Sequence, residues 1–479
     1  MSRFIFGPFE LDAASGRLTR AGEPVSLPAR HLDVLAALLG QARSVVSKDA
    51  LVDAAWRGVA VTDNSLEQAI SALRKALGAD DTGAPLIQTV PRQGYRFAGE
   101  VQRTAARASD AALDALMAPF RAFVEGRAAL ETLAVDQIGG ARAAFERTLA
   151  ASPDSPSAHV GLATACAMQF EMTRADRTPD VAALRDAVEH AREACRLDPH
   201  YGEAWATLGF ALERTGSHLD AVAALTRAAG LEPDNWRHHL RLASVGWGEA
   251  RLRSARRTLA LLPGFPLAHW LAATVHVARQ ALDEAERELT AGCAALANAG
   301  GDARLSGVAL EWLLGLICLA RGDEDQALHH FDRELEAERS GHLYGRECCA
   351  NVWYAIGAVR LRRGNTKGAA EAFERALERI AGHAPASAAL RFADPARASA
   401  DAASSADRPR GPVDVAIVRA VALSLSGQPV DAAAVIDRAL DGAEPGSHGW
   451  LVPVEPILRV PDHVGAWAPA LARLRNRAA

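Results

Sequence analysis

Residues 62–78 read TDNSLEQAISALRKALG. Leu66, Ile70, Leu73 and Leu77 recur at i, i+4, i+7 and i+11, the spacing that buries one stripe of an α-helix. The opposite face then carries Asn64, Gln68, Ser71 and Lys75, with Arg74 beside them. These groups suit the reading of base edges: a Gln amide pairs bidentately with adenine, a Ser hydroxyl bonds either base type, and a Lys ammonium reaches phosphate or guanine. A merely solvated helix face would look the same, so the neighbouring segments have to decide. Shortly after comes LIQTVPRQGYRF at 86–97, a hairpin pattern in which Leu86, Ile87, Val90, Tyr95 and Phe97 pack and Gly94 permits the turn. Thr89, Arg92 and Gln93 are left as exposed groups suited to phosphate and minor-groove contact.

The segments that must hold these groups precede them. Residues 3–27 alternate short apolar runs, FIFGPFELD, GRLTRAG and EPVSL, with turns at Gly7-Pro8, Ser15-Gly16 and Ala21-Gly22, which predicts short antiparallel strands. From Pro28 the period becomes helical, with His31, Leu32, Leu35, Leu38 and Leu39 on one side. A second helix, SKDALVDAAW, opens on Ser47 as N-cap, with Leu51, Val52 and Ala55 as its apolar face. Free N–H groups at its start make Ser47 and Lys48 candidates for phosphate, although a simple cap explains Ser47 equally well. Trp56, after this helix, reads either as a core aromatic or as a contact to the DNA backbone or to RNA polymerase. The third helix begins near Thr62 or Asn64 and stops at Gly78.

Strands, three helices and a hairpin form the order of a winged helix-turn-helix. The coupled segments ISALRKALG and PLIQTVPRQGYRF resemble the C-terminal DNA-binding domain of OmpR/PhoB-type transcriptional regulators, over residues 3 to about 101. The resemblance implies double-stranded DNA as partner, the third helix in the major groove and the wing at the adjacent minor groove or backbone. It also implies that two domains can occupy direct repeats in tandem. Where many relatives carry arginine in mid-helix, this chain has Ala69, Ser71 and Ala72. Affinity is therefore expected to lean on phosphate contacts from Arg74, Lys75 and the wing, or on two domains side by side.

After Gln102 the composition shifts. RTAARASDAALDA suits a linker over 103–114, and from 115 to 479 almost every segment reads as an Ala/Leu/Arg-rich helix. Trp205, Leu208, Gly209, Leu212, Gly216, Ala221, Leu225, Ala228 and Pro233 fall at the spacings of a tetratricopeptide repeat, and Pro199 and Pro233 stand one 34-residue unit apart. Further copies are marked by Ala141, Phe145 and Pro153; by Gly315, Gly322, Ala327 and Phe331; and by Trp353, Gly357, Gly364, Ala369, Phe373 and Ala376. That resemblance implies a right-handed superhelix with a concave binding face. The period breaks near 171–181 and 297–307, a flexible loop is expected at 385–412, and the tail after Trp450 is expected to cap the last hairpin.

Composition narrows the classes. With 49% hydrophobic and 23% charged residues the chain is an ordinary globular one. Its best apolar run, WLLGLICLA at 312–320, is too short for a membrane span, and the N-terminus has no signal-peptide core, so a cytoplasmic location is expected. The net charge of −5 makes no bulk case for nucleic acid, and residues 1–102 balance 11 basic against 11 acidic side chains. Six cysteines, none in a CxxC pair, read as free thiols. His238-His239 and His329-His330 lack the partners of a metal site, and Gly300-Gly301 lacks a phosphate-loop context, so no catalysis, metal or cofactor is expected.

The expected protein is mainly α: an α+β winged helix-turn-helix over 1–102, then a tetratricopeptide superhelix. Residues 1–102 open directly on the winged-helix strands, so the chain is expected to act as a one-component transcriptional regulator without a preceding receiver domain. Its repeats would take a protein partner or a small-molecule effector. Trp205, Trp236, Trp270 and Trp353 read either as liners of an effector groove or as packing between hairpins. The rival is an interaction scaffold whose winged helix no longer binds DNA.

Overall fold

The computed structural model describes residues 3–13, 16–56, 63–79, 83–104, 110–131, 134–176, 178–298, 307–336, 342–396 and 411–479. The chain forms two compact units, one of Met1–Leu130, Ile138–Ala167 and Ala182–His238, the other of Glu131–Gln137, Met168–Val181 and His239–Ala479.

The first unit opens on β1 (Arg3–Phe6), β2 (Phe9–Asp12), β3 (Arg17–Arg20) and β4 (Glu23–Val25), each antiparallel to the one before. Period-2 alternation sends Phe4, Phe6, Phe9, Leu11 and Leu18 to one face, and all five are buried. Then come α1 (Ala29–Gly40), β5 (Val45–Val46), α2 (Lys48–Trp56), α3 (Asp63–Leu77), the wing strands β6 (Ile87–Val90) and β7 (Gly94–Phe97), and β8 (Gln102–Thr104). Strand β8 returns to pair with β1, completing a five-stranded sheet in the order β4-β3-β2-β1-β8, while β5, β7 and β6 form a second sheet. The Phe6 ring joins the two, stacked on Phe9 at 5.4 Å and edge-on to Phe97 at 5.1 Å. Leu35, Leu38, Leu51, Leu66, Leu73 and Phe97 fill the core between sheets and helices.

The expected linker at 103–114 is partly structured. Residues 103 and 104 belong to β8, and helix α4 (Asp110–Glu131) begins at 110, while 105–109 lie outside the described residues. Antiparallel helix hairpins follow: α5 (Ile138–Ala151), α6 (Pro156–Thr173), α7 (Val181–Leu197), α8 (Gly202–Arg214), α9 (His218–Leu231), α10 (Trp236–Val245) and α11 (Gly248–Leu261). The series continues with α12 (Pro266–Ala278), α13 (Leu282–Asn298), α14 (Leu310–Ala320), α15 (Glu324–Glu336), α16 (Gly345–Arg362) and α17 (Thr366–Arg379). The last helices are α18 (Ala384–Ala393), α19 (Pro412–Leu425), α20 (Pro429–Asp441) and α21 (Val464–Arg477).

One spatial rule builds most hairpins. A small residue on the first helix, an alanine twelve positions on and a large residue sixteen positions on meet where the helices cross. Gly209, Ala221 and Leu225 obey it, as do Gly315, Ala327 and Phe331, and Gly357, Ala369 and Phe373. A methyl added at Gly315 or Gly357 would stand 2.4 or 2.3 Å from the phenylalanine ring opposite, so the missing Cβ is what admits the ring. The structure extends the rule to Ala273, Ala285 and Leu289 and to Ala420, Ala432 and Ile436, all buried. Alanine in place of glycine kept these copies out of the sequence reading.

The segment expected as a loop at 385–412 opens on helix instead, because α18 occupies Ala384–Ala393. Its lack of large apolar residues reflects close packing: Ala386, Ala389 and Leu390 are buried in the same cluster as Phe373 and Trp467. Residues 397–410 of that segment lie outside the described residues. The tail folds back as α21, burying Trp467 and sending Arg473 to Asp437 and Asp441 of α20 at 2.6 and 2.5 Å. Among the described residues no helix is long and apolar enough to cross a membrane.

Candidate nucleic-acid interface

Helix α3 buries Leu66, Ile70, Leu73 and Leu77, so the opposite face is exposed by the geometry of the helix alone. Gln68, Ser71 and Lys75 stand on it, exposed, one above another. The backbone of Asn64 lies in the first turn of α3, and its side chain is outside the described residues.

Two ties hold this helix. At its start, Glu67 Oε1 lies 3.3 Å from Lys48 Nζ, linking α3 to the first residue of α2. At its end, Arg74 donates from Nε to the Ile87 carbonyl at 2.8 Å and from Nη2 to Thr89 Oγ1 at 2.7 Å. Arg74 and Thr89, both expected as DNA contacts, are partners of each other in a strut between helix and wing. An Arg74→Ala variant is expected to keep the fold, since the side chain stands at the surface of the core. It should loosen the wing, seen as faster amide exchange at Thr89 and Val90, and weaken DNA binding about tenfold. Unchanged exchange in β6 would contradict the strut.

The wing tip Pro91-Arg92-Gln93 is exposed and closed by the Gln93 amide donating to the Val90 carbonyl at 3.1 Å. The left-handed turn residue is Arg92, with φ +62°, rather than Gly94. Gly94 answers a different need. Its φ is +140°, and an added Cβ would lie 2.0 Å from the Val46 carbonyl oxygen, where β5 presses on β7. Gly94 therefore brings the start of α2 against the wing. There Ser47 Oγ accepts from the Ala50 amide at 3.2 Å, which makes Ser47 the helix cap, still exposed beside Lys48.

Trp56 is only 6% exposed and packs in the core, the structural one of its two expected readings. Sequence reading passed over Arg96 and Gln88, cross-strand neighbours on the outer side of the wing, where Arg96 Nη2 donates to Gln88 Oε1 at 2.7 Å. The alternation in GYRF, with Tyr95 and Phe97 inward, was the available signal for Arg96. Of the expected contacts, Gln68, Ser71 and Lys75 on α3, Arg92 and Gln93 at the wing tip and Ser47 at the start of α2 are exposed, while Lys48 is half-buried against Glu67.

A three-helix domain with a β-hairpin wing against its exposed third helix is a winged helix-turn-helix. Residues 22–97 match the family model described as "Transcriptional regulatory protein, C terminal", and residues 127–175 match the model "Tetratricopeptide repeat". The chain thus joins an OmpR/PhoB-type winged helix to tetratricopeptide hairpins. It is 38% identical over 95 residues to the transcriptional regulator HilA of Salmonella typhimurium, covering 20% of this chain and 17% of the relative. It is 33% identical over 92 residues to the transcriptional activator CadC of Escherichia coli, covering 19% and 18%. The chain therefore aligns with less than a fifth of either relative's length. Among solved structures, the Klebsiella pneumoniae RstA DNA-binding domain in complex with the RstA box is 35% identical, with 20% of this chain and 96% of that chain covered and a TM-score of 0.18.

The repeats hold a separate cleft. In the second unit, Arg174, Trp312, Asn351, Tyr354, His383 and Glu455 are among the residues around a cavity of about 440 Å³. Tyr354 donates to the buried Glu455 carboxylate at 2.5 Å, and burial pushes that carboxyl above its ordinary pKa. The four tryptophans weighed as groove liners are engaged elsewhere. Trp205 lies under Arg227 at 4.0 Å and Trp353 under Arg375 at 4.4 Å, and Trp270 meets Trp450 edge-on at 6.0 Å. Trp236 is buried, with Arg237 at 5.3 Å from its ring.

Proposed function

We propose that this chain is a one-component transcriptional regulator that works in the cytoplasm, binds double-stranded DNA through its winged helix and takes a protein or small-molecule signal at its repeats. The observation that carries this reading is the exposed stripe Gln68, Ser71 and Lys75 on a helix whose other side is core, beside a wing tip carrying Arg92. Helix α3 enters the major groove, Gln68 and Ser71 face base edges, and Lys75 and Arg92 neutralise phosphates. With few cations on one domain, two copies side by side on a direct repeat supply the remaining affinity. The cleft beside Tyr354 and His383 is the place for an effector of small-molecule size.

The test uses the full chain and DNA selected by it from a random pool. The double variant Lys75→Ala/Arg92→Ala is expected to fold with unchanged melting and bind the selected site roughly ten- to a hundredfold more weakly. The slope of log K against log salt should shrink by about 2, one unit for each lost phosphate contact. If the native chain selects no DNA and the variant behaves identically, the scaffold reading replaces this one.

A further inference from the structure

Arg30, in the first turn of α1, reaches across 173 residues of sequence to the repeats. Its Nη2 lies 3.5 Å from Glu203 Oε2, in the first turn of α8, and its Nη1 lies 3.4 Å from Glu232 Oε2, just past α9. The three side chains keep only 15, 18 and 19% of their exposure. The receiving site is assembled on the repeat side. Asn235 Nδ2 donates to Glu232 Oε2 at 2.8 Å, His238 Nε2 lies 3.0 Å from the same oxygen, and His238 is fully buried. The Glu232 carboxyl rests on the backbone at Gly202, where a Cβ would meet its Cδ at 2.8 Å. Tyr201 is also buried here, and His31 stands beside Arg30 with a buried Nδ1 that makes no hydrogen bond among the described residues.

Two carboxylates this close, and this poor in water, repel each other unless a cation stands between them. Arg30 is that cation, and it comes from the winged helix. Burial works to raise the pKa of Glu232, yet the Arg30 charge, aided by the His238 and Asn235 hydrogen bonds, holds it down at about 2. Burial would likewise lower Arg30, and Glu232 and Glu203 outweigh it and raise it. Removing either side leaves an uncompensated charge in a site that excludes solvent, which is the property of a latch. Gln68, Ser71, Lys75, Arg92 and Gln93 take no part in it.

We propose that Arg30 latches the winged helix onto the α8–α9 hairpin, so that the DNA-binding domain and the N-terminal repeats tumble as one body and not as beads on a linker. Loss of the two carboxylate charges that hold Arg30 then opens the latch and frees the winged helix. The latch holds whether or not the domain binds DNA.

The test is rotational diffusion of the full chain, read from NMR relaxation of winged-helix amides. In the native chain these amides should share the correlation time of the repeats. In Arg30→Ala their correlation time should fall at least about threefold, toward that of a free domain of ~100 residues. Should Arg30→Ala disturb the winged helix itself, Glu203→Gln/Glu232→Gln strips both charges that hold Arg30 and opens the latch from the repeat side without touching the winged helix, and it should shorten the correlation time in the same direction. Winged-helix amides that tumble independently in the native chain, or a correlation time unchanged in Glu203→Gln/Glu232→Gln, overturn the latch.

Discussion

Replacing Gly94 with alanine is expected to cost the winged helix about 2–4 kcal/mol, lowering its melting temperature by roughly 10–20 °C. Two independent effects add at this position. The backbone stands at φ +140°, which an L side chain adopts only under strain, and the new methyl would sit 2.0 Å from the Val46 carbonyl oxygen. Backbone cannot rotate away as a side chain can, so β5 must lift from β7 and the start of α2 must move with it. Ser47 and Lys48 then lose their position beside the wing, and DNA binding should weaken at least about tenfold even at temperatures where the domain stays folded. Calorimetry and a binding titration on the full chain check both parts. An alanine variant melting within a degree or two of the native domain would show that β5 has room to yield.

Phe373→Ala should destabilise the repeats by about 3–5 kcal/mol. The ring is fully buried, lies 6.0 Å from the Tyr354 ring and fills the space left by Gly357. The loss is expected to stay local, since a repeat leans mainly on its neighbours. Amides in α16, α17 and α18 should exchange faster while those of the winged helix are unaffected, as hydrogen exchange by mass spectrometry would resolve. Adding Gly357→Ala to Phe373→Ala places a methyl in the emptied space, so the double variant should be less unstable than the two single losses added together. Strict additivity would argue that the glycine serves some purpose other than admitting the ring.

Much of the architecture was legible because burial has a period. The stripe Leu66, Ile70, Leu73 and Leu77 told which side of α3 is core, and therefore which side shows Gln68, Ser71 and Lys75. Hairpins with a glycine announced themselves for the same reason, by the spacing of Gly209 and Leu225 or of Gly315 and Phe331. What stayed hidden was the choice of partner for a polar group. Arg74 sends its Nε to the Ile87 carbonyl, an acceptor that every residue possesses and no pattern advertises. Trp56 could be core or surface until the packing around it was known. Pairings that join distant parts of the chain, β8 with β1 or Arg30 with Glu203 and Glu232, have no local signature at all.

The two ties on α3 have a consequence for how discrimination would be divided between protein and DNA. Lys48 grips the helix near one end and the Arg74 strut braces it near the other. A probe so braced tilts and rolls less readily to suit an imperfect groove. On the DNA-binding reading, accommodation then falls to the duplex, and sites are ranked in part by how cheaply their base steps bend and their grooves open. Flexible pyrimidine–purine steps at positions no side chain touches would become part of the recognised sequence, so that stiffness in the protein turns compliance in the DNA into information.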